Sequence, residues 1–478
     1  LKNKFKKPNY LYSIILSIII FLVPANFFLK FLETSAYVNG LKVDYLIPKL
    51  YLSEIFIIIL LLVWLLNWLA KLILLNKHTL SYKRLKNKFL SIKNKKSIKT
   101  FLSATNISLF ILIVLFLVLF LLFFTRQIYS SHPISSTIYL LKIILLGIFT
   151  IFLSKSKKLI DQNMIEKSIL LTLLFQSSLA IYQYLSQKSL FGYLLLGEPN
   201  LNNYIGISKS NLFGIEKILP YGTTAHPNVL GGFITVYLLI LIKGYAEITR
   251  KKYKNICRNK KAKLNNKFSI NKLFQILSIK NFIITISLIT LILTQSISAF
   301  FTFILGIALI IYKKPIKPKI VAIIVATSFL ISLVLINNLA RIYPDNPSFV
   351  RRSYLNNAAT KMISSNYLTG VGLNNFTAEV ENYSSNREIV RFVQPVHNIF
   401  LLFFAENGLL GLGIGVLITY FICHENANCN QDCLNRNKKN LDKKNWSWII
   451  ILIPIALLDH YLITLQTGLL IFVVGRDL

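Results

Sequence analysis

Charge is what this chain has little of. Only 15% of its 478 residues are charged, 54% are hydrophobic, and the mean hydropathy is +0.58. A soluble domain could not cover so many apolar runs, which excludes an ordinary soluble enzyme and leaves a polytopic membrane protein. Negative charge is scarcer still, with 18 acidic residues against 54 basic ones. The resulting net charge of +36 invites a nucleic-acid reading. The distribution excludes it: Lys and Arg gather in alternate loops, which is the positive-inside pattern. Cysteine is limited to Cys257, Cys423, Cys429 and Cys433. All four fall in or beside segments expected inside, so reduced thiols are expected and an external disulfide is not. The run CHENANCNQDC has no CxxC pair and reads as a plain loop rather than a zinc site. With no HExxH, no paired Asp motif, no external DxD and no Walker A sequence, neither a metal site nor ATP-driven transport is supported, and no cofactor is expected.

What is present is a series of apolar runs. They predict an all-α, polytopic protein of about 12 transmembrane helices in one integral membrane domain spanning residues 1–478. The expected helices lie near 10–32, 50–75, 101–124, 136–153, 166–186, 226–247, 281–296, 299–312, 320–337, 396–421, 446–459 and 461–475. The basic start KNKFKK places the N-terminus in the cytoplasm, and an even helix number returns the C-terminus there. The first apolar segment is too long for a signal-peptide core and lacks a small-x-small site, so it reads as an uncleaved helix. Loops 76–100 and 248–280 are strongly basic and expected inside. Two external segments are long, about 187–225 and 338–395. The second, between helices 9 and 10, is expected to be partly helical from Ser353 to Met362, with a turn at Thr369-Gly370-Val371-Gly372-Leu373.

Polar chemistry concentrates on the expected external side. Of six histidines, His132, His226, His397 and His460 fall there. His226 and His397 each open a helix running inward, so the positive end of the helix dipole faces out and can favour an anion. Pro227 suits a first helical position. The same field favours a neutral imidazole, which can accept a proton from a hydroxyl. Arg341, Arg351, Arg352, Arg387 and Arg391 supply guanidinium forks suited to a diphosphate. Asn228, Asn398, Ser296, Ser298, Asp459 and His460 are groups of the kind that bind sugars. Glu406 lies nine residues into the tenth helix and, on a straight helix, on the face opposite His397, so it reads as an anchor rather than a catalytic partner. Gly408, Gly411, Gly413 and Gly415 read as sites of close helix approach.

Four stretches carry a resemblance: AHPNVLGGF (225–233), QSISAFFTFILG (295–306), RRSYLNNAATKMISSNYLTGVGLNNF (351–376) and QPVHNIFLLFFAENGLLG (394–411). In their order of arginine, GVG, HN, E and GLLG, the chain resembles the O-antigen ligase/polymerase family of bacterial membrane glycosyltransferases. The resemblance implies a GT-C-like fold in the plasma (inner) membrane with its site on the external face. The implied partners are a polyprenyl-diphosphate-linked glycan donor and a glycan, glycolipid or protein acceptor, in a lipid bilayer and without nucleic acid. It implies catalytic roles for His397 as base and Arg352 as diphosphate ligand, with Arg351 one residue away. It departs at Ile297, where the family commonly has an arginine between two serines; Arg341 is a candidate substitute. A repeat-unit polymerase of the same family and a lipid-linked oligosaccharide flippase are the alternative readings.

Overall fold

The computed structural model describes residues 9–79, 104–202, 206–212, 215–258, 270–312, 318–384, 386, 389–390, 393–431 and 447–477. The expected helices are all represented by apolar helices: α1 (Tyr10–Leu22), α2 (Leu52–Thr79), α3 (Ala104–Ile128), α4 (Pro133–Ser156), α5 (Gln162–Ser186) and α6 (Pro227–Arg258) in the first half. They continue with α7 (Ile270–Leu293), α8 (Ile297–Tyr312) and α9 (Pro318–Ile342). The large segment that follows carries α10 (Pro347–Ser365) and α11 (Phe376–Tyr383). After it come α12 (Ile399–Gln431), α13 (Ser447–Leu458), the one-turn α14 (Tyr461–Thr464) and α15 (Gln466–Asp477). Among the described residues, five helices, in α2, α4, α5, α6 and α12, are long and apolar enough to cross a membrane, and seven more apolar helices are shorter. The chain is a multi-pass membrane protein.

Several boundaries differ from expectation for local reasons. Helix α1 stops at Leu22, just before Pro24, whose ring nitrogen has no proton for the helical ladder. The chain then forms small ribbons: β1 (Phe28–Lys30) pairs with β4 (Lys49–Tyr51), and β2 (Tyr37–Val38) with β3 (Leu41–Lys42). A third ribbon, β5 (Lys209–Leu212) with β6 (Ile215–Ile218), lies in the loop before α6. Much of 248–280 continues α6 and α7 as helix, and α12 runs ten residues past its expected end. Most of loop 76–100, together with Arg387, Arg391 and Cys433, lies outside the described residues.

Two cores organise the bundle. The larger joins α1, α2, α4, α5, α6 and α15 through fully buried side chains such as Ile19, Ile20, Phe149, Phe152, Phe233 and Tyr237. The fully buried Tyr237 hydroxyl is satisfied, donating to the Ile20 carbonyl at 2.8 Å. The second core packs α10 and α11 on α12 through Leu355, Ala359, Met362, Phe376, Leu401 and Ala405. That core fixes the arginine-bearing helix against the helix opened by His397.

Helix α12 is broken. Gly408 adopts φ 56° and ψ −159°, and the chain resumes as helix beyond it. Residues 367–372 fill the break with their own backbone. Val371 N–H donates to the Ala405 carbonyl and Gly372 N–H to the Glu406 carbonyl, both at 2.9 Å. In return, Leu409 and Leu410 N–H donate to the Tyr367 and Leu368 carbonyls, also at 2.9 Å. Broken helices persist at membrane depth only where such partners replace the lost bonds. The expected close approach of helices is corrected at two of these glycines: Gly408 is a chain break, and a Cβ on Gly415 would meet nothing within 4 Å, whereas Gly413 faces Leu119 of α3.

Candidate active site

The turn that fills the break also positions the site. Gly370 (φ 67°) and Gly372 (φ 108°) sit where side chains do not fit, and a Cβ on Gly370 would lie 2.3 Å from the Glu406 carbonyl group. On its other side the turn is held by the α3–α4 hairpin. Arg126 Nε donates to the Gly370 carbonyl at 3.1 Å, Leu373 N–H donates to Gln127 Oε1 at 2.7 Å, and Ser136 Oγ donates to the Leu373 carbonyl at 2.6 Å. Glu406 is buried in this junction. Its Oε1 accepts from Phe376 N–H at 3.3 Å, and the Asn374 N–H also points to it. The partner of this carboxylate is thus the backbone that opens α11, where the helix dipole favours negative charge.

Helix α10 starts earlier than expected. Asn346 caps it by accepting from Ser348 and Phe349 N–H, and Pro347 fills the first turn, so Arg351 and Arg352 are already helical. His397 stands two residues before α12. Its ring meets the His460 ring edge to face, with centroids 4.9 Å apart. His397 Nδ1 is buried with no hydrogen-bond partner among the described residues, which leaves Nε2 as the nitrogen available to a substrate. Asn398 is buried and occupied: Oδ1 accepts from Phe400 and Leu401 N–H, and Nδ2 donates to Ser332 Oγ at 3.0 Å. It caps α12, so its expected substrate contact gives way to a structural one.

The expected external turn at Asp459-His460 is buried instead, at the break between α13 and α14. His460 Nδ1 lies 2.7 Å from Thr464 Oγ1, whose hydroxyl also lies 3.2 Å from the His460 carbonyl. Asp459 has both carboxylate oxygens engaged by other side chains. Its Oδ2 accepts from Ser298 Oγ at 2.6 Å and its Oδ1 from Asn228 Nδ2 at 3.1 Å. Ser296 Oγ lies 3.3 Å from Ser298 Oγ, so the α7–α8 turn and the start of α6 are tied to the α13–α14 break.

His226 is held at the start of α6. Its Nδ1 accepts from Asn228 N–H at 3.1 Å, so the neutral ring carries its proton on Nε2, 2.8 Å from Ser208 Oγ. The loop that delivers it is stitched to α5: Gln176 Oε1 accepts from Thr223 N–H, and Gln183 Oε1 from Tyr221 and Gly222 N–H.

Electrostatics bind these pieces into one site. The packing around its ring, followed by the charge of Arg352, lowers His226 to about 4, although the residue is exposed at the surface. Burial, then His226 and Arg352, lowers His460 to about 3. His397 is pushed well below the usual imidazole range by burial, then by His460, Arg352, His226 and Arg351. Burial raises the Asp459 carboxyl against the pull of Arg352, Ser298 and Asn228. Arg352 is therefore the charge common to all four groups, and among the described residues it has no carboxylate within 4 Å. Arg341 is exposed at the end of α9 and takes no part in these interactions. Ile297, 65% exposed, offers no charge at the α8 start. Tyr45 was missed in the sequence: its ring lies 5.7 Å from that of His460, and nothing in the first external loop marked it out. Among the described residues no group of three or more His, Cys, Asp or Glu could hold a metal ion.

Residues 282–415 match the sequence model of the O-antigen ligase family. Over that segment, a little over a quarter of the chain, the protein is similar to the O-antigen ligase family. The matched family segment runs from α7 through the broken α12 and contains Arg351, Arg352, His397, Glu406 and the GVG turn. It implies a glycosyltransferase-type enzyme. Three members of the cluster, His226, Asp459 and His460, come from outside the matched segment. No curated protein matches the chain.

Proposed function

We propose that the protein moves a glycan from a polyprenyl-diphosphate carrier to an acceptor hydroxyl at the external face of the plasma membrane, and that all twelve apolar helices cross that membrane. One observation carries the reading: a half-buried arginine-bearing helix and three histidines, drawn from four distant parts of the chain, converge on one another. A site with this much positive potential and one hydrogen-bonded carboxylate suits an anionic ligand.

In the proposed reaction the acceptor oxygen attacks the anomeric carbon of the donor as the bond to the diphosphate breaks. His397 Nε2 takes the hydroxyl proton. Arg352, with Arg351 and the helix start at His226, faces the negative charge that grows on the departing diphosphate, and that stabilisation is the main catalytic contribution. An imidazolium at His397 is disfavoured by both arginines, so donor binding, by adding negative charge, makes the base competent. Asp459 holds Asn228 and Ser298 in place; His460 orients His397.

The test is reconstitution with a defined polyprenyl-diphosphate glycan, scoring release of the free lipid diphosphate. His397→Ala is expected to abolish release while the protein remains folded in the membrane. Wild-type release by that variant would remove the base assignment. Chain growth on the carrier itself would instead identify a polymerase of the same family.

A further inference from the structure

The loop that leaves α5 is built inside out. Leu185, Phe191 and Leu194 are 73%, 71% and 88% exposed, and Leu190 and Tyr193 are exposed beside them. The polar partners of this stretch point inward. Glu198 is fully buried, and its carboxylate accepts from the N–H groups of Leu190, Phe191 and Gly192 and from Gln183 Nε2, at 2.7–2.9 Å. A loop standing in water would turn its carboxylate out and its leucines in. Here the carboxylate fixes the turn so that the apolar side chains stand outward.

A second apolar element lies against it. Tyr193 Oη brackets Phe28, accepting from its N–H at 2.9 Å and donating to its carbonyl at 2.6 Å. Gly197 packs so tightly on Asn26 and Phe27 that a Cβ there would come within 2.2 Å of backbone. The ring of Phe27 stacks on Tyr193 at 5.2 Å. These ties hold Leu29 of β1, itself 65% exposed, with the loop as one unit. The patch begins at the last turn of α5, which is long and apolar enough to cross a membrane, so it continues that helix's surface. Lys188 sits at its edge, exposed and without an acidic partner among the described residues.

We propose that residues 185–194, with Leu29, form a wedge seated in the headgroup–acyl boundary of the leaflet on the active-site side. Its occupant is lipid. Exposed aromatic and leucine side chains enter the acyl margin, and Lys188 extends to the phosphates. The wedge belongs to the same stitched loop that delivers His226, so it sets the depth of the site relative to a membrane-borne substrate. The inference does not depend on the transferase reading.

The test uses the full chain with its four natural cysteines changed to Ser, in nanodiscs of phosphatidylethanolamine and phosphatidylglycerol holding one copy each. Leu194→Cys, Phe191→Cys and, as control, the exposed loop position Asn200→Cys are labelled with an environment-sensitive fluorophore. At 191 and 194 a lipid carrying a shallow nitroxide should quench at least about threefold more than aqueous iodide does, and the control should show the reverse. Iodide access at 191 and 194 equal to that at 200 would overturn the proposal. So would shielding from both quenchers, which would mean that protein covers the patch.

Discussion

Substituting Gly370 by Ala should destabilise the fold more than a methyl added to any glycine in the helices of the family segment. The added carbon would lie 2.3–2.4 Å from the carbonyl of Glu406 and the nitrogen of Asn407, where about 3.4 Å is needed. Backbone on both sides must separate by about 1 Å, which breaks the 2.9 Å bonds from Val371 N–H to Ala405 and from Gly372 N–H to Glu406. Two such bonds contribute about 2 kcal/mol, and a residue with a Cβ at φ 67° costs about 1 kcal/mol more. The total of about 3 kcal/mol corresponds to a drop of about 3 °C in Tm for a chain of this length. Gly415→Ala is the matched control, because its Cβ would meet nothing within 4 Å and it replaces glycine within helix, so its Tm should hold or rise slightly. The assay is thermal unfolding of the purified protein in one detergent. Equal Tm values for the two variants would refute the interlock as a stabilising contact.

Arg352→Lys should lose most activity with the lipid-diphosphate donor, about tenfold or more, because a point charge cannot reproduce the guanidinium fork; steady-state kinetics with varied donor checks it. His460 is buried and lowered to about 3, below the unfolded value of about 6.5, so between those pH values the unfolded chain binds the extra proton. Stability is therefore full above pH 6.5 and falls as pH drops, by about 1.4 kcal/mol per pH unit from this group; His460→Gln should flatten the dependence of Tm between pH 7 and 5. Glu198→Gln replaces an acceptor of four hydrogen bonds with a group carrying two donors, and should cost about 2 kcal/mol, read as a lower Tm at pH 7.5.

The helices were legible because apolar runs of spanning length have few alternatives, and the cap of α10 was written in Asn346-Pro347 although the helix was expected to begin only at Ser353. The turn at 369–373 was legible as a turn, from its glycines. Its partner was not: nothing local in ENGLLG distinguishes a glycine that packs two helices from one that breaks its own. That difference lies in backbone bonds to a segment some 40 residues upstream. The break at Gly408 lies beyond both His397 and Glu406, and the Glu406 carboxylate meets the start of α11. His460 was placed at an exposed turn because a short apolar hairpin must turn somewhere near a polar pair. Its burial depends on Tyr45 and His397, which no spacing connects to it.

The interlock explains how one chain holds a cation and a base in register. Between Arg352 and His397 the chain runs down α10, through the turn at 367–372, out along α11, and back to the start of α12. It then meets its own turn again at Ala405 and Glu406, eight and nine residues beyond His397. The four reciprocal backbone bonds close this path, so the arginine-bearing and histidine-bearing helices are two rods fixed at a common joint and packed along the core formed by Leu355, Met362 and Leu401. His226 and His460 approach from α6 and the α13–α14 break, which are joined to each other through Asp459. The site is therefore assembled from two rigid halves. A change at the joint should alter the position of Arg352 and His397 together, and a change at Asp459 should alter His226 and His460 together. Double substitutions within one half are then expected to be less than additive, and substitutions across the halves additive except for the pair His397 and His460, whose rings touch.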